Sequence, residues 1–150
     1  QREEWAMTVR DLLKTKPPDI HSVTPDATVF DALGLMAARN IGAVLVVNAV
    51  GRLVGILSER DYARKVVLRG LTSRDTPVSS IMTTEVLRIS ADRPLEDCMA
   101  LMTAARIRHV PVMDGDQLVG VVSIGDIGKA IIAEQGFVIG QLERYICSTR

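Results

Sequence analysis

A stretch of this chain occurs twice, and that constrains its fold more than any other feature. Residues 23–48 lie over residues 89–114 when the sequence is shifted on itself, and residues 52–67 lie over 117–132 after a one-residue gap. Thirteen positions of the two alignments are identical, including Leu35-Met36 with Leu101-Met102 and Leu53-Val54-Gly55 with Leu118-Val119-Gly120. Most other positions exchange one apolar residue for another, which is duplication of a folding unit rather than coincidence.

Each copy has the same rhythm. An extended piece leads through Pro25-Asp26 or Ala91-Asp92 into an apolar helical pattern. The apolar positions are Val29, Ala32, Leu33, Leu35 and Met36 in one copy, and Leu95, Cys98, Met99, Leu101 and Met102 in the other. That spacing gives one apolar helical face, and core packing accounts for the Leu-Met pairs. Two short β-branched runs follow, 43–47 with 53–57 and 110–113 with 118–122, which read as hairpins around Asn48 to Gly51 and Asp114-Gly115-Asp116. A second helix is expected over 59–68 and 124–133. The unit is therefore strand, helix, strand, strand, helix, an α/β (α+β) arrangement present twice. A three-stranded sheet with both helices on one side leaves its other surface partly apolar. Two β-α-β-β-α repeats packed about a pseudo-twofold axis would bury both surfaces and leave clefts between them. The expected division is an N-terminal tail over 1–10, repeat 1 over 11–68, a polar linker over 69–78, repeat 2 over 79–135 and a C-terminal tail with a short helix at 141–146. The lead-in segments 11–16 and 79–83 also correspond.

Composition supports a real core. The apolar share is 47% while aromatics are only 3%, so aliphatic residues and Met must fill it. A chain of this length buries roughly 70% of its unfolded surface and needs no disulfide or metal. Eighteen basic residues balance eighteen acidic ones, so no net charge draws the chain to nucleic acid or a membrane. No run of about 18 apolar residues is present to span a bilayer. Cys98 sits in an apolar helical pattern, Cys147 lies near the end, and His21 and His109 stand far apart; no metal site is expected. The opening residues do not read as a signal peptide, and Gln1 reads as a truncated or processed terminus. A cytoplasmic location is expected.

The chemistry-bearing residues recur with the repeat. Each hairpin ends in Gly-apolar-apolar-Ser-x-x-Asp, at Gly55 to Asp61 and at Gly120 to Asp126. Ser58 with Asp61, and Ser123 with Asp126, fit a capping box that satisfies the free N–H groups of a helix start. They fit a ligand site equally. Asp appears both times, although Glu reaches back better in a cap. A strand running into a helix offers free N–H groups suited to phosphate. A short carboxylate there can accept from both hydroxyls of a ribose diol, at about 1.5–3 kcal/mol per charge-assisted bond.

These paired ends, with the strand Arg108 to Asp114 and the lead-in Ile81-Met82-Thr83, resemble a tandem pair of CBS domains, or Bateman module, over roughly residues 10–135. The nearest likeness is to stand-alone CBS-pair proteins of bacteria and plant organelles. The resemblance implies a regulatory module, not an enzyme. It would bind adenosine compounds (AMP, ADP, ATP, NAD(H) or S-adenosylmethionine) in two clefts, usually as a homodimer signalling to a regulated protein yet to be identified. It implies that Asp61 and Asp126 hold ribose, with Ser58 and Ser123 beside ribose or phosphate. The Asp61 cleft would use Val86 and Leu87, with Ile56 beneath and Thr83 close by. The Asp126 cleft would use Ile20 and His21, with Val121 beneath and Lys14 or Lys16 near phosphate. Arg108 and His109 would point at phosphates, with Arg106 and Arg60 adding charge. Copy one has Gly42-Ala43 in place of Arg108-His109, so the clefts are expected to differ in ligand or affinity, for instance a dinucleotide in one and a mononucleotide in the other. No nucleophile elbow, P-loop or informative His–acid pair points to catalysis. A structural dimerisation or docking module with degenerate clefts is the alternative.

Overall fold

The computed structural model of the protein describes residues 7–134; the helix expected at 141–146, Cys147 and the expectation for Gln1 fall outside them. The order is α1 (Val9–Leu13), β1 (Ser22–Val23), α2 (Val29–Arg39), β2 (Ala43–Val47), β3 (Leu53–Ser58), α3 (Glu59–Tyr62), β4 (Ile89–Ser90), α4 (Leu95–Ala105), β5 (His109–Asp114) and β6 (Gln117–Ser123). Residues 124–134 then form a helix, α5. Two three-stranded sheets result, β1-β2-β3 and β4-β5-β6. In each, the short first strand runs parallel to the second, and the second and third form an antiparallel hairpin. The α/β class and the duplicated unit are both present.

Local chemistry explains where the elements begin and end. Thr28 caps α2 by accepting the Asp31 N–H at 3.1 Å, and α2 closes at Asn40, whose φ of 55° is left-handed. The equivalent Arg106 closes α4 at φ 57°. Both αL residues turn the chain abruptly from helix to strand. The buried positions of α2 are Val29, Ala32 and Met36, and those of α4 are Leu95, Cys98 and Met102, the same stripe at the same spacing. The second hairpin closes through Gly115-Asp116, with Asp114 paired to Gln117 and Gly115 at φ 63°. Glycine at the first central position supplies the turn that a twisted hairpin needs.

The chain divides into two compact units that are offset from the sequence repeats: residues 19–88, and residues 1–18 with 89–150. The lead-in of each repeat joins the core of the other copy. Val9 and Leu12 are buried among Leu95, Cys98, Met102, Val110, Val112 and Val122. Val78 and Ile81 are buried among Val29, Met36, Val44, Val46 and Leu57. Backbone bonds fix the exchange: Val9 donates to Arg93 and Arg10 to Ala91 in one unit, while Val29 donates to Thr76 and Val78 to Ala27 in the other. Each lead-in contributes an apolar pair whose burial completes a three-stranded core.

One further detail departs from the sequence reading. The helix expected over 59–68 is α-helical only to Tyr62 and continues as a widened π-helical turn, Ala63–Val67. Val66 in that turn is buried in the core while Lys65 is held by polar partners described below, whereas α5 carries Ala130 at the equivalent place and stays regular. The segment expected as linker, 69–78, leads into a short 3-10 turn, Val78–Ser80.

Candidate functional site

Each unit places its Ser-x-x-Asp at a strand-to-helix junction. In residues 19–88, β3 ends at Ser58, which caps α3. The Asp61 N–H donates to Ser58 Oγ at 3.2 Å, and the Ser58 N–H donates to Asp61 Oδ2 at 3.0 Å. The capping box is thus formed. The first N–H of α3, at Glu59, donates to the carbonyl of Gly42 at 3.0 Å, and Ala43 pairs with Ser58 across the hairpin. Gly42, Ala43, Ser58 and Asp61 therefore meet at one corner.

The lead-in completes that corner. Thr83 forms an antiparallel bridge with Ile56 along the open edge of β3, with bonds of 2.9 and 3.0 Å in both directions. This aims the Thr83 hydroxyl at Asp61, to whose Oδ1 it donates at 3.2 Å. The approach is close because the strand residue is glycine: a Cβ on Gly55 would stand 2.6 Å from Met82 Sδ and 3.1 Å from the Thr83 carbonyl oxygen. Beyond Thr83 the chain is anchored again where Arg88 donates to the Leu53 carbonyl at 3.3 Å. Val86, half-buried, and Leu87, exposed, lie between these anchors. Ile56, Ser58, Asp61 and Thr83 are thus brought together, with Val86 and Leu87 on the segment that follows the same edge. Arg60 is exposed on α3.

Sequence reasoning missed Lys65. Its ammonium lies 3.1 Å from Asp61 Oδ1 and donates to the Ile81 carbonyl at 3.0 Å. The i,i+4 spacing from Asp61 was the available signal. Asp61 is almost entirely buried, and these donors compensate its charge.

In the other unit Ser123 and Asp126 repeat the cap. The Ser123 N–H donates to Asp126 Oδ2 at 2.9 Å, and the Asp126 N–H donates to Ser123 Oγ at 3.1 Å. Ile124 donates to the Arg108 carbonyl at 2.9 Å, and His109 pairs with Ser123. The basic pair thus stands where Gly42-Ala43 stands in the first unit, with the Arg108 side chain exposed and His109 half-buried. Leu13 covers Gly120 as Met82 covers Gly55; a Cβ on Gly120 would lie 2.9 Å from Leu13 Cδ2. Here the ammonium comes from the lead-in. Lys16 Nζ bonds Asp126 Oδ2 at 2.6 Å and the Val121 carbonyl at 2.7 Å. Burial alone would raise the Asp126 carboxyl, but the bond from Lys16, the Ser123 N–H and the Lys16 charge outweigh it and hold the group below its ordinary value. Of the two lysines expected near the phosphate of this cleft, Lys16 is held instead on the Asp126 carboxylate, whereas Lys14 is exposed and its N–H closes the end of α1. Ile20 and His21, both half-buried, belong to the unit of residues 19–88.

Cys98 is buried in the α4 stripe, and burial pushes its thiol up to about 11, as suits a core residue. No helix of the described residues is long and apolar enough to cross a membrane.

Comparison with known proteins gives this architecture a family. The model of the CBS domain matches twice, at residues 8–68 and 78–133. The mitochondrial CBS domain-containing protein CBSX3 of Arabidopsis thaliana is 37% identical over 147 residues, covering 93% of this chain and 71% of that protein. A solved CBS-domain structure from Burkholderia ambifaria is 48% identical with a TM-score of 0.83, covering 86% of this chain and 96% of the other. A CBS domain protein of Pyrobaculum aerophilum, solved in complex with AMP, is 28% identical with a TM-score of 0.73, over 80% and 89% of the two chains. The protein belongs to the CBS domain family and carries two of its domains in tandem.

Proposed function

We propose that the chain is a regulatory module that binds adenine nucleotides at two unequal sites marked by Asp61 and Asp126, and signals cellular energy or redox state to a partner protein. The observation that carries this reading is the junction repeated in both units, where a carboxylate shielded from water sits beside a serine hydroxyl at a helix start. A carboxylate so placed can exchange its present donors for the two hydroxyls of a ribose. The AMP bound by the Pyrobaculum relative supports an adenosine ligand. Occupants of the two sites would be drawn from AMP, ADP, ATP and NAD(H). The absence of a basic pair at Gly42-Ala43 supports unequal affinity, with the more basic Arg108-His109 side taking the more anionic ligand. The reading includes a homodimer, no catalysis and a cytoplasmic location, although the Arabidopsis relative is mitochondrial. Signalling requires that the ligand bind two states of the module with different affinity.

The completed cap in both units favours a second reading, in which Ser and Asp serve only to end strands and start helices in a docking module. Calorimetric titration with AMP, ATP, NAD, NADH and S-adenosylmethionine separates the two. Binding of at least one is expected, and silence from all of them at millimolar concentration overturns the nucleotide reading. Asp61→Ala and Asp126→Ala should each remove one site while costing about 1 kcal/mol of stability, the usual worth of a cap. Lost stability with binding intact would mean that the two aspartates act as helix caps and not as ligand groups.

A further inference from the structure

Both aspartates are neutralised by a lysine, but the lysines come from different places. Lys65 follows Asp61 by one helical turn, and its second bond goes to the Ile81 carbonyl of the lead-in. In the other unit position 130 is alanine, and the ammonium arrives instead on the segment after α1. Its second bond goes to the carbonyl of Val121, the counterpart of Ile56 on the open strand edge. In the first unit that edge carbonyl is already taken by the Thr83 N–H. The aspartate oxygens are used differently as well. Lys65 and the Ser58 N–H bond opposite oxygens of Asp61, while Lys16 and the Ser123 N–H share Oδ2 of Asp126. Lys16 therefore bridges the open strand edge and the carboxylate, whereas Lys65 holds its aspartate from the helix itself.

We propose, resting on the nucleotide-binding reading above, that Lys16 is a lock which makes the Asp126 site select phosphorylated ribosides over neutral ones. Lys16 and the Ser123 N–H already share Oδ2 of Asp126, so a ribose diol that engages both carboxylate oxygens must displace Lys16. The displaced ammonium is largely shielded, with 29% of its side chain exposed, and it leaves behind two strong acceptors. A neutral nucleoside brings nothing to replace the lost partner, so the ion pair opposes it. A nucleotide brings a phosphate, and Lys16 can pass from carboxylate to phosphate without remaining unpaired. The lock thus converts an intramolecular ion pair into discrimination by charge, through penalising the wrong ligand as well as holding the right one.

The test is titration of the full chain with adenosine and with AMP, comparing wild type with Lys16→Met and Lys16→Gln. The methyl resonances of Val121 and Ile56 report which site fills. At the Asp126 site of the wild type, AMP should bind about 10- to 100-fold more tightly than adenosine, the range that one charge-assisted hydrogen bond supplies. In both variants adenosine should bind more tightly than to wild type, AMP more weakly, and the ratio should fall to within a few-fold. The Ile56 site should not change. A lysine that merely touched phosphate would leave adenosine affinity unaltered, so unchanged or weakened adenosine binding in the variants overturns the lock while nucleotide binding stands. If wild type binds neither compound at the Asp126 site the lock is overturned, whereas the nucleotide reading falls only if ATP, NAD, NADH and S-adenosylmethionine are silent as well.

Discussion

At the scale of single residues, the site is a matter of which donors meet a shielded carboxylate. Asp61 and Asp126 occupy equivalent positions, and both were legible because Ser-x-x-Asp recurs at the end of each hairpin. Their partners were not equally legible. Lys65 stands four residues from Asp61, a spacing visible in the sequence, whereas Lys16 and Asp126 are 110 residues apart and only folding joins them. That pair has a consequence in acid. The carboxyl of Asp126 lies below its ordinary value of 3.8, so its charge stabilises the fold at pH above that value and the contribution fades as pH falls through the lowered one. Urea unfolding followed from neutral pH downward should show Asp126→Asn less stable than wild type, with the gap closing below pH 3.8. A gap that did not change with pH would mean that the ion pair adds nothing. Lys16→Met should shift the acid loss of stability to higher pH, because burial then acts on Asp126 with less opposition. The left-handed ends of α2 and α4 offer a further check. Asn40, at φ 55°, tolerates that region better than most residues, so Asn40→Ala should cost about 1 kcal/mol in thermal or urea unfolding.

Among elements, the shared Leu-Val-Gly of β3 and β6 shows what an identity in a repeat can mean. The sequence shows that glycine recurs in the third strand but supplies no reason for it. The structure does: Met82 and Leu13 lie where a Cβ would project. Glycine lets the lead-in close on the strand edge, and in the first unit that closure carries the Thr83 hydroxyl to Asp61. Gly55→Ala should therefore destabilise the protein by about 1–3 kcal/mol, as overpacking does, and should weaken ligand binding at the Asp61 site more than at the Asp126 site. Equal weakening at both would show that the glycine serves general packing alone. The widened turn after α3 was beyond sequence reasoning for a related reason. Residues 59–68 and 124–133 align without a gap, and only the structure shows that the copy holding Lys65 adopts the wider turn.

For the molecule as a whole, the repeat seen in sequence and the unit seen in contacts are different objects. Leu12 belongs by sequence to the first copy and by packing to the core of the second, as Ile81 does in reverse. Leu12→Ala should cost about 2–5 kcal/mol. In amide exchange it should loosen β5 and β6 before β2 and β3, and Ile81→Ala should do the opposite. Loosening of β2 and β3 by Leu12→Ala would contradict the exchange of lead-ins. By itself the sequence determined the duplicated α/β unit, the apolar stripes of its helices, the hairpins and the two Ser-x-x-Asp junctions, because these depend on local periodicity and on residues a few positions apart. The tertiary structure alone decided which lead-in completes which core, why Gly55 and Gly120 must be small, and that Lys16 reaches Asp126. Those outcomes rest on contacts between segments far apart in the chain. There, burial of apolar side chains brings groups together that no spacing in the sequence connects.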